Sequence, residues 1–529
     1  MAAILAESAR GIVGEERQAG PRRWRAVCLR LGGAAAGGVL LYLSFAPRDW
    51  WWLAPLAIAC LGLVLDGRRF RSGCGYGAVF GLGVFLPQLV WIQDFLGSSF
   101  GPSPWLGLAA VLALFVALAC GLITVVARLP AAPVWMAVVF LLQEFARTWW
   151  PFGGFPWGKV AFSQPDGVFT SLASLGGVPL VGMAVLVTGF GLAQLLLRMR
   201  RGGRQLRARR WVAPALAVLI PVVAGIAVWP TVGTQPQAGS LTVAAVQGNA
   251  PNIGLGLLSA RGELRANHLA ESRRLLAEIR AGRAPQPDLV IWPETATALT
   301  GDDQALDALS DAFGAPMLIG ARAVLPDGTP QNVMVQWEPG VGPTTRYAKQ
   351  QLVPFAEYIP LRSIAGWVTP FAAGTVDMQP GATPGVFRVA GTSIGTAICY
   401  EVGYDYVFRQ EVNGGAQLLV LPTNTAWFGR SEMSYQQLAM ARLRAVEHSR
   451  AVVVAATSGV SAIVRPDGTV ERSTSLFTAE SLVAEVPLRT ETTVADRLGA
   501  WVQNPLIAMA ALALAGSVIR RRCRRPNVS

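Results

Sequence analysis

The sequence predicts an α-helical membrane bundle of about eight transmembrane helices joined to a soluble α/β domain. Three observations carry this. Charged residues make up only 15% of the 529-residue chain, against roughly 25% in an average soluble domain. That deficit is concentrated in residues 26–230 and 499–518, which contain long runs nearly free of charge. Residues 240–490 instead alternate short apolar runs with helical patterns, as an ordinary α/β domain does.

The apolar runs place spans at 26–46, 51–66, 76–97, 104–128, 131–148, 174–197, 212–230 and 499–518. Arg30 lies close enough to the edge of the first to snorkel. The net charge of +13 comes largely from arginine blocks between or beside these runs. Arg68, Arg69 and Arg71 form one block, residues 198–210 a second, and residues 520–525 a third. Blocks of that kind mark cytoplasmic loops, whereas a nucleic-acid-binding patch would lie on a folded polar domain, so no nucleic-acid partner is expected. The alternation puts both termini in the cytoplasm and residues 231–498 outside. The expected division is a bundle over 1–230 with about seven helices, an extracytoplasmic domain over 231–498, and a last helix with a basic tail over 499–529. The first 25 residues are polar and basic and do not read as a cleavable signal. Trp50, Trp51, Trp52, Trp149, Trp150 and Trp157 fall near predicted interfaces, as an aromatic belt would.

In the soluble part, Leu241–Gln247 and Asp288–Trp292 read as strands around a helix at 258–281. Strands follow at Pro316–Val324 and Val333–Trp337, then a strand pair at Val386–Ile398 hinged at Gly391. A short helix at Tyr404–Val412, a strand at Gln417–Pro422 and a helix at Ser434–Arg450 come next. Ala451–Ala456 and Ser461–Arg465 close the series before a Pro466-Asp467-Gly468 turn. The pattern is that of a mixed two-sheet domain with strands buried on both faces.

Of six cysteines only Cys399 lies in this domain, so it has no partner there for a disulfide. It is either a buried small hydrophobe or a reactive thiol. A strand runs towards it through Gly395-Thr396-Ala397-Ile398, and a helix is predicted soon after. That is a nucleophile-elbow layout, in which the helix dipole would lower the thiol pKa. Two other segments stand out. Asp288-Leu289-Val290-Ile291-Trp292-Pro293-Glu294 ends a buried strand in a carboxylate, where proline stops the ladder. Taken alone, Glu294 could equally be a solvated loop acid. Residues 346–360 hold Lys349 and Glu357 in a largely apolar, proline-bounded stretch. A buried lysine there needs an anionic partner or an anionic reaction centre, but a surface lysine is the alternative. His448 reads as structural, and neither histidine has metal-ligand spacing, so no metal or cofactor is expected. Together a thiol, a carboxylate and an ammonium suit two-step acyl transfer.

These three segments resemble the Glu-Lys-Cys motifs of the nitrilase (carbon–nitrogen hydrolase) superfamily. Almost the whole chain resembles its membrane-bound branch, the apolipoprotein N-acyltransferases. Further shared motifs are Val246-Gln247-Gly248-Asn249, Gly154-Phe155-Pro156-Trp157 with Gln164, and Ala426-Trp427-Phe428-Gly429. The resemblance implies an αββα sandwich for the soluble domain, with Glu294 as general base, Lys349 as oxyanion stabiliser and Cys399 as nucleophile. Glu357 corresponds to a second essential glutamate, and Tyr400 and Glu401 to residues beside the cysteine. It also implies the substrates: a phospholipid acyl donor and the diacylglyceryl-modified N-terminus of an apolipoprotein, met at a bacterial inner membrane. Two departures concern lid and acceptor positioning: Ile253-Gly254-Leu255-Gly256-Leu257 lacks a tryptophan common in the family, and an Asn-Asp pair reads Asn424-Thr425 here. Residues 361–373, with Trp367 and Phe371, are expected to form an apolar membrane-dipping lid, and Asn424 and Trp427 are further substrate or lid candidates. A membrane-anchored amidase releasing the acyl group to water would use the same three residues.

Overall fold

The computed structural model describes residues 21–97, 100–201, 209–299, 301–363 and 376–523. The first part is helical: α1 (Pro21–Leu43), α2 (Leu53–Leu65), α3 (Phe70–Gln88), the short α4 (Trp91–Leu96), α5 (Ser103–Val126), α6 (Ala132–Trp149), α7 (Ala173–Arg200) and α8 (Arg209–Val228). The final helix, α14 (Ala500–Cys523), returns to the bundle and packs on α6. Among the described residues five helical stretches are long and apolar enough to cross a membrane: Trp24–Leu43, Ser103–Val126, Thr170–Arg200, Trp211–Thr231 and Ala500–Arg520. The expected eight are therefore met only in part. α2 is too short, α3 is diluted by glycine, and α6 carries Glu144 and Arg147.

Those glycines have a packing reason. A Cβ on Gly77 would stand 2.5 Å from the Cys120 Cβ, and one on Gly81 would stand 2.8 Å from the Ala113 Cα. Small residues four apart let α3 and α5 approach to backbone contact, the usual route to tight helix pairing where no hydrophobic effect drives it. The expected span at 76–97 is shifted accordingly. Its helix starts at Phe70 and stops at Gln88, one residue after Pro87, and α4 follows as a separate turn.

The second part holds two sheets, one with strand order β13-β1-β2-β4-β5-β6 and β3 paired to β4, the other β12-β11-β10-β9-β8-β7. The first sheet comprises β1 (Ser240–Gln247), β2 (Leu289–Ile291), β3 (Thr297–Ala298), β4 (Met317–Val324), β5 (Pro330–Glu338), β6 (Gly342–Ala348) and β13 (Glu480–Pro487). The second comprises β7 (Val386–Val389), β8 (Thr392–Thr396), β9 (Leu418–Thr423), β10 (Val452–Ala456), β11 (Ala462–Val464) and β12 (Val470–Ser473). Parallel central pairs (β1–β2, β2–β4, β8–β9, β9–β10) are buried on both faces, which is why their sequences read as continuous apolar runs. Val243, Ile291, Leu318, Val420 and Val453 fill the layer between the sheets.

Helices α9 (Arg261–Arg280) and α10 (Gln304–Phe313) cover the outer face of the first sheet through Leu275, Leu276, Leu309 and Phe313. Helices α11 (Val407–Asn413) and α12 (Met433–His448) cover the second, and the short α13 (Val494–Leu498) precedes α14. The layers run helix, sheet, sheet, helix. The last helical layer is shared with the bundle: Phe408, Met440 and Leu443 belong to the same apolar core as Phe162 and Val181. The expected helix at Tyr404–Val412 begins three residues later, at Val407. Strands β3, β6, β12 and β13 and helices α10 and α13 were not expected. β6 and β12 have mostly exposed side chains and lack the apolar alternation on which strand assignment rests. Trp367, Phe371 and most of the expected lid at 361–373 lie outside the described residues.

Candidate active site

β2 delivers Glu294. The strand ends at Ile291, Trp292 is locked by its indole N–H to the Ser272 hydroxyl at 3.0 Å, and Pro293 turns the chain. Glu294 is buried. Its Oε1 accepts from the Lys349 ammonium at 3.0 Å and from the Asn332 amide at 2.7 Å, while Oε2 accepts from the Asn424 backbone N–H at 2.9 Å.

Lys349 follows β6 directly, and its own N–H extends the ladder to the Asn332 carbonyl at 2.9 Å. The same Nζ reaches Glu357 Oε1 at 3.1 Å. Asn332 bridges the two acids, with its Nδ2 2.7 Å from Glu294 and 2.8 Å from Glu357. Burial opposes charge on Lys349, but Glu294 and Glu357, with smaller contributions from Cys399 and Glu401, outweigh it and hold the lysine pKa above its ordinary value. The ammonium is therefore secure at neutral pH.

Cys399 lies beyond β8, at φ +51°, in the left-handed region that a non-glycine residue seldom adopts. This positive φ turns the side chain out of the strand direction, as an elbow requires. The Gln437 amide, itself oriented by the Thr423 hydroxyl at 2.8 Å, lies 3.6 Å from the sulfur. The expected helix dipole is absent. A 3-10 turn over Cys399–Gly403 follows, and α11 starts only at Val407. The thiol pKa is accordingly not lowered. Burial first, then the Glu294 charge, push it up to about 12, against the pull of Lys349, Thr423 and Gln437. A thiol in this setting rests protonated and needs a base at the moment of reaction.

Glu401 is fully buried and acts as a tie. It accepts from the backbone N–H groups of Ile398 at 2.6 Å, Gln350 at 2.7 Å and Gln351 at 3.0 Å, and from the Tyr347 hydroxyl at 2.9 Å. The turn carrying Cys399 is thus bound to the segment carrying Lys349. Tyr400 donates to the Gly154 carbonyl at 3.0 Å, Tyr404 to that of Gly153 at 2.9 Å, and Tyr358 to that of Phe152 at 2.6 Å. The loop after α6 is therefore held by three phenols from the soluble domain. Arg147 fixes the same loop from below through the carbonyls of Phe155, Trp157 and Gly158.

Asn424 is buried, with its side chain between Thr295 and Thr457 and its N–H on Glu294. Among the described residues its contacts are with the Glu294 carboxylate and the two threonine hydroxyls. Trp427 is half-buried and meets Phe95 of α4 edge-on at 6.0 Å. His448 ends α12 and pairs with Asp496 at 2.6 Å. Asn332 and Gln437 escaped the sequence reading. Asn332 sits beside Gln331 and Gln437 beside Gln436, so residue type alone singled out neither.

Two family models match the chain: the apolipoprotein N-acyltransferase N-terminal domain over residues 37–191, and the carbon-nitrogen hydrolase over residues 242–496. The apolipoprotein N-acyltransferase of Mycolicibacterium smegmatis is 38% identical over 506 residues, covering 91% of this chain and 84% of that protein. The chain belongs to the apolipoprotein N-acyltransferase family. The namesake from Azotobacter vinelandii is 32% identical and covers 93% of this chain and 95% of its own length. Among solved structures, the nitrilase-superfamily protein Nit3 of Saccharomyces cerevisiae superposes with a TM-score of 0.36 at 16% identity, over 47% of this chain and 90% of that one. The carbon-nitrogen hydrolase match spans the two-sheet region, and the N-acyltransferase match spans most of the helical part from α1 to α7.

Proposed function

We propose that the protein transfers an acyl chain from a membrane phospholipid, through a thioester on Cys399, to the N-terminal α-amine of the diacylglyceryl-cysteine of apolipoproteins. The observation that carries this is a buried Glu294–Lys349 pair with Cys399 in its electrostatic field, in a domain built onto a helical bundle. Glu294 takes the thiol proton, and the thiolate attacks the ester carbonyl. Lys349 balances the tetrahedral oxyanion. Collapse expels the lysophospholipid alkoxide, which recovers the proton from Glu294. The acceptor amine then attacks the thioester, gives its proton to Glu294, and the sulfur leaves as thiolate to be reprotonated. Glu357 holds the Lys349 ammonium from the far side, Glu401 keeps the two segments in register, and Tyr400 anchors the nucleophile turn on the loop at 152–158.

The membrane setting belongs to the same proposal. Residues 1–230 form a bundle whose seven main helices span, 499–529 add an eighth span and a basic tail, and 231–498 face outward with both termini inside. Exposed Trp50, Trp52, Trp149, Trp150, Trp229 and Trp501 suit an interfacial belt. Both lipid substrates would then meet a domain tethered on two sides, which raises effective concentration. The test is direct. The protein is incubated with phospholipid and Cys399 is examined by mass spectrometry, then a diacylated lipopeptide is added. An acyl adduct that passes to the peptide amine is expected. An adduct cleared only by water would sink the transferase reading and leave an amidase.

A further inference from the structure

A second cleft lies where the soluble-domain ends of α6, α7 and α14 meet the segment downstream of Cys399. Its walls include Trp149, Gly177, Asp405, Arg409, Glu447 and Gln503, and none of Glu294, Lys349 or Cys399. Its charges do not cancel. Asp405 is taken by Arg444 at 2.7 Å and by Lys159 at 3.3 Å, and Glu447 is taken by Arg444 as well. Two carboxylates are thus matched by two cations. Arg409 is additional, half-buried, and makes no hydrogen bond or ion pair among the described residues. Its Nε lies 3.3 Å from where a Cβ on Gly499 would stand, which sets the guanidinium against the start of α14.

Depth is the second, independent observation. Three long helices end at this level, and two of those ends carry largely exposed indoles, Trp149 at 50% and Trp501 at 75%. Indoles on helix ends mark the boundary between hydrocarbon and head groups, where lipid phosphates lie. An unmatched guanidinium there, beside the Gln503 and Asn504 amides on the first turn of a 24-residue helix, suits a phosphate diester.

We propose that this cleft binds the phosphate of a membrane phospholipid, with Arg409 as its counter-ion and the first turn of α14 as its amide donor. The proposal rests on the membrane reading above. The site adjoins the catalytic turn: Tyr406 stacks on Trp149 with centroids 5.8 Å apart, and its hydroxyl accepts from the Gln351 amide at 2.6 Å. A bound lipid would therefore brace the segment that carries Cys399.

The test uses the full chain in neutral detergent. It is titrated with phosphatidylglycerol, with diacylglycerol of the same chains, and with glycerol 3-phosphate, and bound species are followed by native mass spectrometry. Wild type should retain phosphatidylglycerol in preference to diacylglycerol. Arg409→Gln should weaken that retention about tenfold, the scale of one charge-assisted contact, with diacylglycerol unchanged. Gln503→Glu, which adds a carboxylate without removing the arginine, should do the same, whereas Arg388→Gln on the exposed edge strand β7 should not. Unchanged retention in both cleft variants would overturn the proposal. So would displacement of the lipid by glycerol 3-phosphate at equal concentration, which would assign the site to a soluble phosphate ester. An Arg409→Gln protein that keeps its phospholipid and still forms the Cys399 adduct fails this proposal and leaves the transferase intact.

Discussion

Two buried charge clusters, one on either side of the second sheet, differ in how fully they are satisfied. Near Cys399, two carboxylates, Glu294 and Glu357, share a single ammonium and a single amide. Beneath it, Asp405 and Glu447 meet two cations, and Lys159 and Arg444 are further bonded to the carbonyls of Gly403 and Val402. The lower cluster is complete and ties the loop after α6 to α12 and the Cys399 turn. The upper one holds an excess of carboxylate beside a protonated thiol. That excess leaves carboxylate unmatched by a cation beside the thiol, which the lower cluster, fully neutralised, does not. Burying charge is costly in both, and only the arrangement of partners separates a scaffold from a reactive site.

The contrast can be broken most severely at the sulfur. Cys399→Ala should lower turnover by about 10⁴-fold or more and abolish the acyl adduct, while the melting temperature in detergent stays close to wild type. The lower cluster should respond in the opposite sense. Arg444→Met takes the arginine from Glu447, leaves Asp405 with Lys159 alone, and should cost roughly 3–5 kcal/mol of stability, read from thermal unfolding, yet the molecules that remain folded should still form the adduct. A variant that stays stable but cannot acylate would assign Arg444 to the chemistry instead.

Asn332→Ala removes a donor shared by both upper carboxylates and should slow turnover by about 10- to 100-fold. An unchanged rate would mean that Asn332 serves packing only. The thiol itself supplies a milder test. With its pKa pushed up to about 12, alkylation of resting Cys399 by iodoacetamide should rise about tenfold per pH unit from 7 to 9, as thiolate fraction does far below a pKa. A plateau in that range would show a thiolate already formed.

The smallest effect on turnover concerns Glu411, outside both clusters. Burial raises its pKa to about 8, above the ordinary 4.5. Between those values the folded state keeps a proton that the unfolded chain has released, so stability falls as pH rises through the window. Glu411→Gln retains an acceptor for the Gly385 N–H and removes the titration. Its melting temperature should exceed wild type at pH 8, with the gap closing towards pH 4.5.

Much of this was legible in the chain because periodicity and residue type carry it. Buried parallel strands such as Val452–Ala456 announce themselves as apolar runs, and Glu294, Lys349, Glu357 and Cys399 stand out against apolar surroundings. Span number was less legible. Hydropathy does not show that the apolar run at 51–66 yields a helix of only 13 residues, Leu53–Leu65, nor that the glycines of α3 meet α5. Edge strands β6 and β12, polar on most positions, carried no period to read.

By itself the sequence determined the division into a charge-poor helical part and an α/β part, and the four candidate side chains, since hydrophobic pattern and residue chemistry are local properties. Tertiary structure alone decided what those side chains experience. Asn332 joins the acids only because β5 lies against β6, and Glu401 reaches Gln350 only across the sheet-to-turn junction. It also reversed one expectation: no helix dipole acts on Cys399, and desolvation raises its pKa. A pKa depends on burial and on charges brought together from distant points in the chain, which no local pattern encodes.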